Sequence, residues 1–158
     1  MIILGIETSC DETSAAILED YIVLSNVVRT QTVHTAFGGV VPSLASKDHE
    51  KSIKDIVQKS INDAKILISD IDIIAVTYGS GLLGSLIVGL NFAKGIAYAI
   101  KCPIIPVPTI LSLAYSLKDK EPINGIVRSH GNKVFFQEFI WDNGFPKVKS
   151  KPELGNIE

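Results

Sequence analysis

Cysteine, histidine and excess positive charge are all scarce in this sequence. It contains two cysteines and three histidines among 158 residues. Cys10 and Cys102 lie far apart and show no metal-binding spacing, so they indicate neither a zinc site nor a disulfide framework. The formal net charge is −2 at pH 7, so the chain has no general attraction for nucleic acid.

The sequence has no low-complexity segment, and we expect no secretory leader. Because Met1 leads directly into a strand pattern, we expect a cytoplasmic protein whose thiols stay reduced. Apolar residues make up 46% of the chain and charged residues 20%, which is typical of a globular protein. Its 158 residues suffice for one domain, or for one domain and a fragment of a second.

A strand, a glycine turn and a helix follow one another in the middle of the chain. Asp72–Thr77 has the pattern of a buried strand, and Gly79 and Gly81 mark a tight turn. The apolar run Leu83–Ile100 is too long for a strand and contains no proline, so it predicts a helix. Backbone N–H groups at such a helix start could hold an anion. An ordinary βα unit that binds nothing explains the pattern about as well.

The predicted helix Leu83–Ile100 is apolar on nearly every side. A surface helix normally has one apolar stripe and one polar face. This helix therefore needs cover on two sides, and we expect another protein to supply the second cover. A membrane span is the competing interpretation, because the run is about as long as a bilayer requires. Asn91, Lys94 and the short connections to strands on both sides argue against a membrane span.

A polar turn separates the first two of three predicted strands, which cover Ile2–Ile6, Ser14–Leu18 and Ile22–Val28. Tight polar connections between them predict an antiparallel meander. The first turn is either an ordinary hairpin or a contact for phosphate and Mg²⁺, with hydroxyls and amides on the phosphate and a carboxylate on the ion. The candidate nucleotide-binding residues are Thr8, Ser9, Cys10, Asp11 and Glu12 with Gly79 and Gly81.

A loop over Thr30–Leu44 and a helix over Ser46–Lys65 connect the meander to the central unit. The helix has one apolar stripe at helical spacing, which includes Ile53, Val57 and Ile61. His34 in the loop and His49 in the first helical turn are predicted to be hydrogen-bonded surface groups and not metal ligands.

The last third of the chain contains shorter elements. The predicted elements are a strand at Cys102–Val107, a helix at Pro108–Leu117 and a hairpin of Ile123–Arg128 with Lys133–Trp141, and the polar tail at Phe145–Glu158 shows no clear pattern. We expect a first domain over residues 1–107 and a partial second domain over residues 108–158. The lysines near residue 150 are predicted to form a solvated edge.

Three motifs resemble the TsaD/TsaB family: ILGIETSCDET at Ile3–Thr13, GGVVPSLASKDH at Gly38–His49 and GSGLLGSLIVG at Gly79–Gly89. The resemblance covers residues 1–115. It implies an α/β fold of the actin/Hsp70-like, ribonuclease H-like class, with a mixed sheet flanked by helices and a second lobe that is reduced or incomplete. It also implies a role in making threonylcarbamoyladenosine beside the tRNA anticodon.

The resemblance to the catalytic member, TsaD, fails where TsaD binds its metal. TsaD has an HxxxH pair after the strand that precedes Thr109, and here Thr109 and Leu113 occupy those positions. Leucine offers no lone pair to a metal. The SGGH loop of TsaD is also changed, to the sequence at Ser129–Asn132. The segment from Val107 to Leu111 resembles TsaB instead. We therefore expect no catalytic residue, no metal and no cofactor in this chain, with ATP at a partner interface as the exception.

The resulting prediction is a non-catalytic, TsaB-like subunit that binds TsaD. TsaE would join through the complex, tRNA would be met only indirectly, and the first-lobe helices would form a homodimer when the chain is alone. The predicted interface consists of Ile53, Val57, Ile61, Leu86, Gly89, Leu90, Ala93 and Ala97. The alternatives are a truncated or divergent TsaD-like transferase that binds ATP and metal, a metallopeptidase, and a nucleotide-binding module without partners.

Overall fold

The computed structural model describes residues 1–117, 123–129 and 132–156. The chain divides into two compact units, Met1–Pro106 and Val107–Glu158. The predicted turn around His130 and Gly131 lies outside the described residues. Strands and helices are mixed in both units, as the predicted α/β class requires.

A five-stranded sheet and two long helices form the first unit. Its elements are β1 (Ile2–Glu7), β2 (Glu12–Glu19), β3 (Ile22–Thr30), α1 (Pro42–Ala64), β4 (Ile73–Gly79), α2 (Leu83–Ile100) and β5 (Ile104–Pro108). Short 3₁₀ turns at Thr35–Phe37 and Ile68–Asp70 lie in the connections before and after α1.

The first sheet has the strand order β3-β2-β1-β4-β5. The predicted meander is confirmed, because β1 pairs antiparallel with β2 and β2 with β3, with Ala16 opposite both Gly5 and Asn26. Strand β4 runs parallel to β1, with Ala75 opposite Gly5. The carboxyl ends of β1 and β4 therefore meet at one edge of the sheet.

One face of this sheet is covered by α1 and α2. Alternate residues of the strands point to that face, and Leu4, Ile17 and Ile74 are fully buried there. The apolar stripes of α1 and α2 belong to the same core cluster. Burial of this apolar area is the main term that holds the two helices on the sheet.

Helix α1 begins one turn earlier than the sequence suggested. The predicted loop Thr30–Leu44 gives way to helix at Pro42, which is the first helical residue. Proline suits that position because its missing N–H would have no partner there and its fixed φ is already helical. His49 is therefore not in the first helical turn, where the sequence placed it, but in the second. The carboxylate of the preceding residue, Asp48, pairs with Arg29 on β3.

The second unit is a four-stranded sheet with one short helix. Its elements are α3 (Thr109–Tyr115), β6 (Ile123–Arg128), β7 (Lys133–Asp142), β8 (Phe145–Val148) and β9 (Glu153–Asn156). The predicted hairpin is confirmed as β6 and β7. The polar tail, for which the sequence predicted no element, forms β8 and β9, which pair with opposite ends of the long strand β7. Ile110, Ala114, Ile123 and Phe139 form its core.

Candidate functional site

Two loops meet at the edge where β1 and β4 end. The turn at residues 8–11 follows β1, and the turn at residues 79–82 follows β4. The backbone N–H of Leu82 donates to the carbonyl of Ser9 at 2.8 Å. The carboxyl edge of parallel strands is where ligands bind in open α/β sheets. The structure thus brings together both groups of predicted nucleotide-binding residues.

Close approach of the two turns depends on Gly81. A Cβ atom there would lie 2.5 Å from the Ser9 carbonyl oxygen and 2.8 Å from the Ser9 Cβ. Any larger residue would push the two turns apart. Packing between the two turns therefore requires glycine at position 81, which the sequence pattern had indicated as part of a tight turn.

The side chain of Thr8 has a structural role and is not accessible to a ligand. Its side chain is buried, and its hydroxyl donates to the carbonyl of Ser85 on α2 at 2.8 Å. Ser9 is also buried, and its backbone N–H donates to the Glu7 carboxylate at 2.6 Å. Of the predicted residues in this turn, Cys10, Asp11 and Glu12 are the ones with accessible side chains.

Negative charge accumulates at the same turn. Burial raises the pKa of Glu12, and the nearby Asp11 and Glu7 carboxylates raise it further. Among the described residues, no group of three or more His, Cys, Asp or Glu side chains is arranged to hold a metal ion. The carboxylates of this turn therefore do not form a metal cage on their own.

The surroundings of Cys10 disfavour its thiolate form. Loss of solvent around the thiol raises its pKa to about 12, and a hydrogen bond and negative charge from Asp11, with further charge from Glu12, contribute to the shift. The thiolate is the reactive form of cysteine. Little of this thiol is therefore in the reactive form at neutral pH.

The start of α2 lies beside the two turns. Leu82 precedes the helix, and no side chain caps the first backbone N–H groups. The first turn of a helix carries partial positive charge and N–H donors without helical partners. This is the arrangement that the sequence pattern predicted as a place for an anion.

Sequence reasoning missed a buried polar network behind the turn. His49 on α1 contacts the carbonyl of Cys10 through Nε2 at 3.0 Å and the hydroxyl of Thr13 through Nδ1 at 2.8 Å. Ser52 lies 3.1 Å from the same hydroxyl. His34 contacts Gln31 through Nε2 at 2.7 Å and accepts from the Val41 N–H at 3.3 Å. Both ring nitrogens of each histidine therefore bind protein groups, as predicted, but both side chains are buried and do not lie at the surface, as the sequence had suggested.

The structure corrects the prediction of the interface residues. Seven of the eight lie in the interior of this chain: Ile53, Val57, Ile61, Leu86, Gly89, Ala93 and Ala97. Leu90 is half-buried and packs on the same core. The small residues of α2 face the chain's own sheet and α1, because close packing within one lobe requires small side chains just as an interface does. These residues are not available to a partner.

The opposite side of α2 is the side that faces solvent. Leu83 is 73% exposed, Ile87 47% and Tyr98 89%. Asn91, Lys94 and Gly95 are exposed between them. We call these six residues the outer face of α2. By length and composition alone this helix passes for a membrane span, a test that core helices of other proteins also pass.

The TsaD-like metal pair is absent from the described residues. Thr109 begins α3, and Leu113 on the same helix is 48% exposed. A threonine hydroxyl and an isobutyl group cannot replace two imidazoles around a transition metal.

The fold defines the class of protein. The chain is an α/β protein of the actin/RNase H-like class. The structure of YeaZ from Pseudomonas aeruginosa superposes with a TM-score of 0.79, over 97% of this chain and 66% of that chain. The two sequences are 16% identical, so this likeness concerns the fold alone.

Sequence comparison identifies the family of the chain. The family described as "TsaD: tRNA N6-adenosine threonylcarbamoyltransferase" matches residues 22–137, and the chain belongs to that family. A protein named tRNA N6-adenosine threonylcarbamoyltransferase from Prosthecochloris aestuarii is 53% identical over 116 residues, which are 73% of this chain and 34% of that protein. One of the same name from Chlorobaculum tepidum is 57% identical over 107 residues, 68% of this chain and 30% of that protein. The chain spans about a third of the length of the curated relatives it matches.

Proposed function

We propose that this chain acts in the formation of threonylcarbamoyladenosine in tRNA as a non-catalytic subunit that docks on a TsaD-type transferase. Family membership supports the pathway. Thr109 and Leu113, at the positions of the metal-binding histidines, support the absence of catalysis. The YeaZ-like fold supports the role of an accessory subunit.

The proposed assembly extends this role to further partners. TsaE joins through the complex, tRNA is met only through the complex, and the chain forms a homodimer when TsaD is absent. A nucleotide such as ATP contacts the turn at residues 8–12 and the start of α2 when the partner is docked. The assembly works in the cytoplasm.

The outer face of α2 is the observation that carries the docking proposal. It exposes Leu83, Ile87 and Tyr98 on one side of a regular helix. Large apolar and aromatic side chains at the centre of an interface supply most of its binding energy. Fully burying an exposed isoleucine contributes roughly 1.5–3 kcal/mol, and Ile87, which is 47% exposed, would gain roughly half of that on docking.

The docking surface is tested by placing a charge on the outer face. Ile87→Asp should abolish the complex with a TsaD-type chain, as measured by light scattering during gel filtration. Ile126→Asp is the matched control, because Ile126 is a 58% exposed isoleucine on β6 of the second unit. A complex that tolerates Ile87→Asp as well as Ile126→Asp would exclude this surface. Ala93 is unsuitable as a target, because it is fully buried and its replacement would disturb the core.

A TsaD-like transferase is the second candidate, and sequence identity favours it. The chain is 53% identical to a transferase-named relative over 116 residues. The turn after β1 and the uncapped start of α2 are both present. Purified chain would be incubated with threonylcarbamoyl-adenylate and tRNA without added TsaD. Modified adenosine in that reaction would establish this candidate and exclude the non-catalytic role.

A further inference from the structure

The turn after β1 is held from behind by both long helices. The carbonyl of Ser9 accepts from the Leu82 N–H at the start of α2, at 2.8 Å. The carbonyl of Cys10 accepts from His49 Nε2 on α1 at 3.0 Å, and the Ser85 hydroxyl on α2 approaches it at 3.5 Å. Two successive carbonyl groups therefore point inward, toward the helices.

The matching N–H groups must point the other way. The peptides Ser9–Cys10 and Cys10–Asp11 are trans, since the one cis peptide in the described residues is Gly79–Ser80. In a planar trans peptide the N–H is directed opposite to the carbonyl. The N–H groups of Cys10 and Asp11 thus face away from the helices, on the side where Cys10 is exposed, and the Asp11 N–H lies within hydrogen-bonding reach of the Cys10 sulfur there. Successive N–H groups of this kind bind phosphate oxygens.

His49 is the residue that fixes the second of these peptides. A carbonyl oxygen can only accept, so His49 Nε2 carries the proton and donates it to Cys10. His49 Nδ1 then accepts from the Thr13 hydroxyl, which also contacts Ser52 on the next turn of α1. The imidazole is 0% exposed and cannot exchange these partners for water. Its orientation is therefore set from both sides.

We propose that His49 is a positioning residue, which holds the Cys10–Asp11 peptide so that its N–H is directed at the phosphate of a bound nucleotide. This inference rests on the nucleotide contact in the proposed function and names the group that prepares it. His49 touches no ligand in this role and acts through the Cys10 carbonyl.

Two substitutions separate the two contacts of His49. In Gln the side-chain amide reaches the place of Nε2, so His49→Gln retains a donor for the Cys10 carbonyl. In Asn it reaches only the place of Nδ1, so His49→Asn retains the Thr13 contact and leaves Cys10 without its donor. Ser60→Ala is the control. Ser60 is a fully buried residue of α1 that contacts Ser25 on β3 at 2.7 Å, 11 positions along the helix from His49.

The measurement is an amide NMR titration of the isotope-labelled full chain with magnesium ATP, alone and with unlabelled TsaD-type partner. We expect ATP to shift the amide signals of Cys10 and Asp11 in the parent chain. His49→Asn should weaken that response by about tenfold, as expected for loss of one well-placed hydrogen bond. His49→Gln and Ser60→Ala should stay close to the parent.

Three other outcomes would each contradict the positioning role of His49 or the nucleotide contact itself. If ATP shifts the turn amides of the parent and of His49→Asn with equal affinity, the positioning role is wrong and the nucleotide site stands. Equal weakening by His49→Asn and His49→Gln would also exclude the role, because the Cys10 contact would then not be the cause. If ATP shifts no turn amide in the parent, with or without partner, the nucleotide contact is wrong and the inference fails with it.

Discussion

Gly89 on α2 lies directly against Thr8 at the end of β1. A Cβ atom at Gly89 would come within 2.3 Å of the Thr8 hydroxyl oxygen and 3.3 Å of two Thr8 carbon atoms. That hydroxyl is the group that donates to the Ser85 carbonyl. The helix therefore sits close enough to hold the turn after β1 only because position 89 has no side chain.

Gly89→Ala should destabilise the chain. The methyl group cannot fit beside Thr8 without moving either α2 or the buried Thr8–Ser85 hydrogen bond. Overpacking of a tight core contact costs typically about 1–3 kcal/mol. The free energy of unfolding, measured by urea denaturation, should fall by an amount in that range.

Gly95→Ala provides the matched control on the same helix. Gly95 is exposed, and a Cβ atom there would have open space around it. Alanine is a better helix former than glycine by up to about 1 kcal/mol, so this variant should be slightly more stable than the parent. Equal effects of the two substitutions would mean that α2 does not approach β1 as closely as described.

The contrast between these glycines shows what the sequence could reveal. The predicted bounds of α2, Leu83–Ile100, agree with the structure, because a long apolar run without proline has one regular solution. Which side of it is inside could not be predicted. Small residues at every fourth position look the same whether they face the chain's own sheet or a partner, and that ambiguity produced the wrong interface residues.

The candidate site, too, could be predicted from the sequence only in part. The turn residues and Gly81 could be predicted, because local patterns of glycine and polar residues mark turns that follow strands. His49 could not be assigned a role, since its partners Cys10 and Thr13 lie 39 and 36 positions away in the sequence. Only the fold shows that a histidine of α1 meets the turn after β1. Strands β8 and β9 were not predicted because each is only four residues long, and Pro146 and Gly155 interrupt their sequence patterns.

The Arg29–Asp48 ion pair should make stability depend on pH at the acidic end. Arg29 donates two hydrogen bonds to the Asp48 carboxylate, one of them at 3.2 Å. Arg29 thereby lowers the pKa of Asp48 from its ordinary value of 3.8. A carboxylate with a lowered pKa stabilises the fold above its unfolded-state pKa, and this contribution is lost as the pH falls through the folded-state value.

Arg29→Gln should therefore lower the free energy of unfolding at neutral pH and have no effect at a pH well below 3.8. The pair is partly exposed, so the difference should be below about 1 kcal/mol. Thermal or urea unfolding of both chains across this pH range measures it. Lys147→Gln is the control: its partner Asp142 and Lys147 itself are both largely exposed, so that variant should match the parent at every pH. A pH-independent loss in Arg29→Gln would assign the effect to packing of the arginine stem.

Cys10 should react slowly with iodoacetamide although the residue is exposed. Its pKa is raised to about 12, first by loss of solvent around the thiol and then by Asp11. Alkylation requires the thiolate, which is scarce at pH 8 when the pKa lies far above that pH. In a Cys102→Ser background the folded chain should react at least about tenfold more slowly than the same chain in urea, where the thiol returns to an ordinary pKa. Asp11→Asn should recover part of the rate, since it removes the charge but not the loss of solvent. Equal rates in the folded and unfolded chains would show that the turn does not suppress the thiolate.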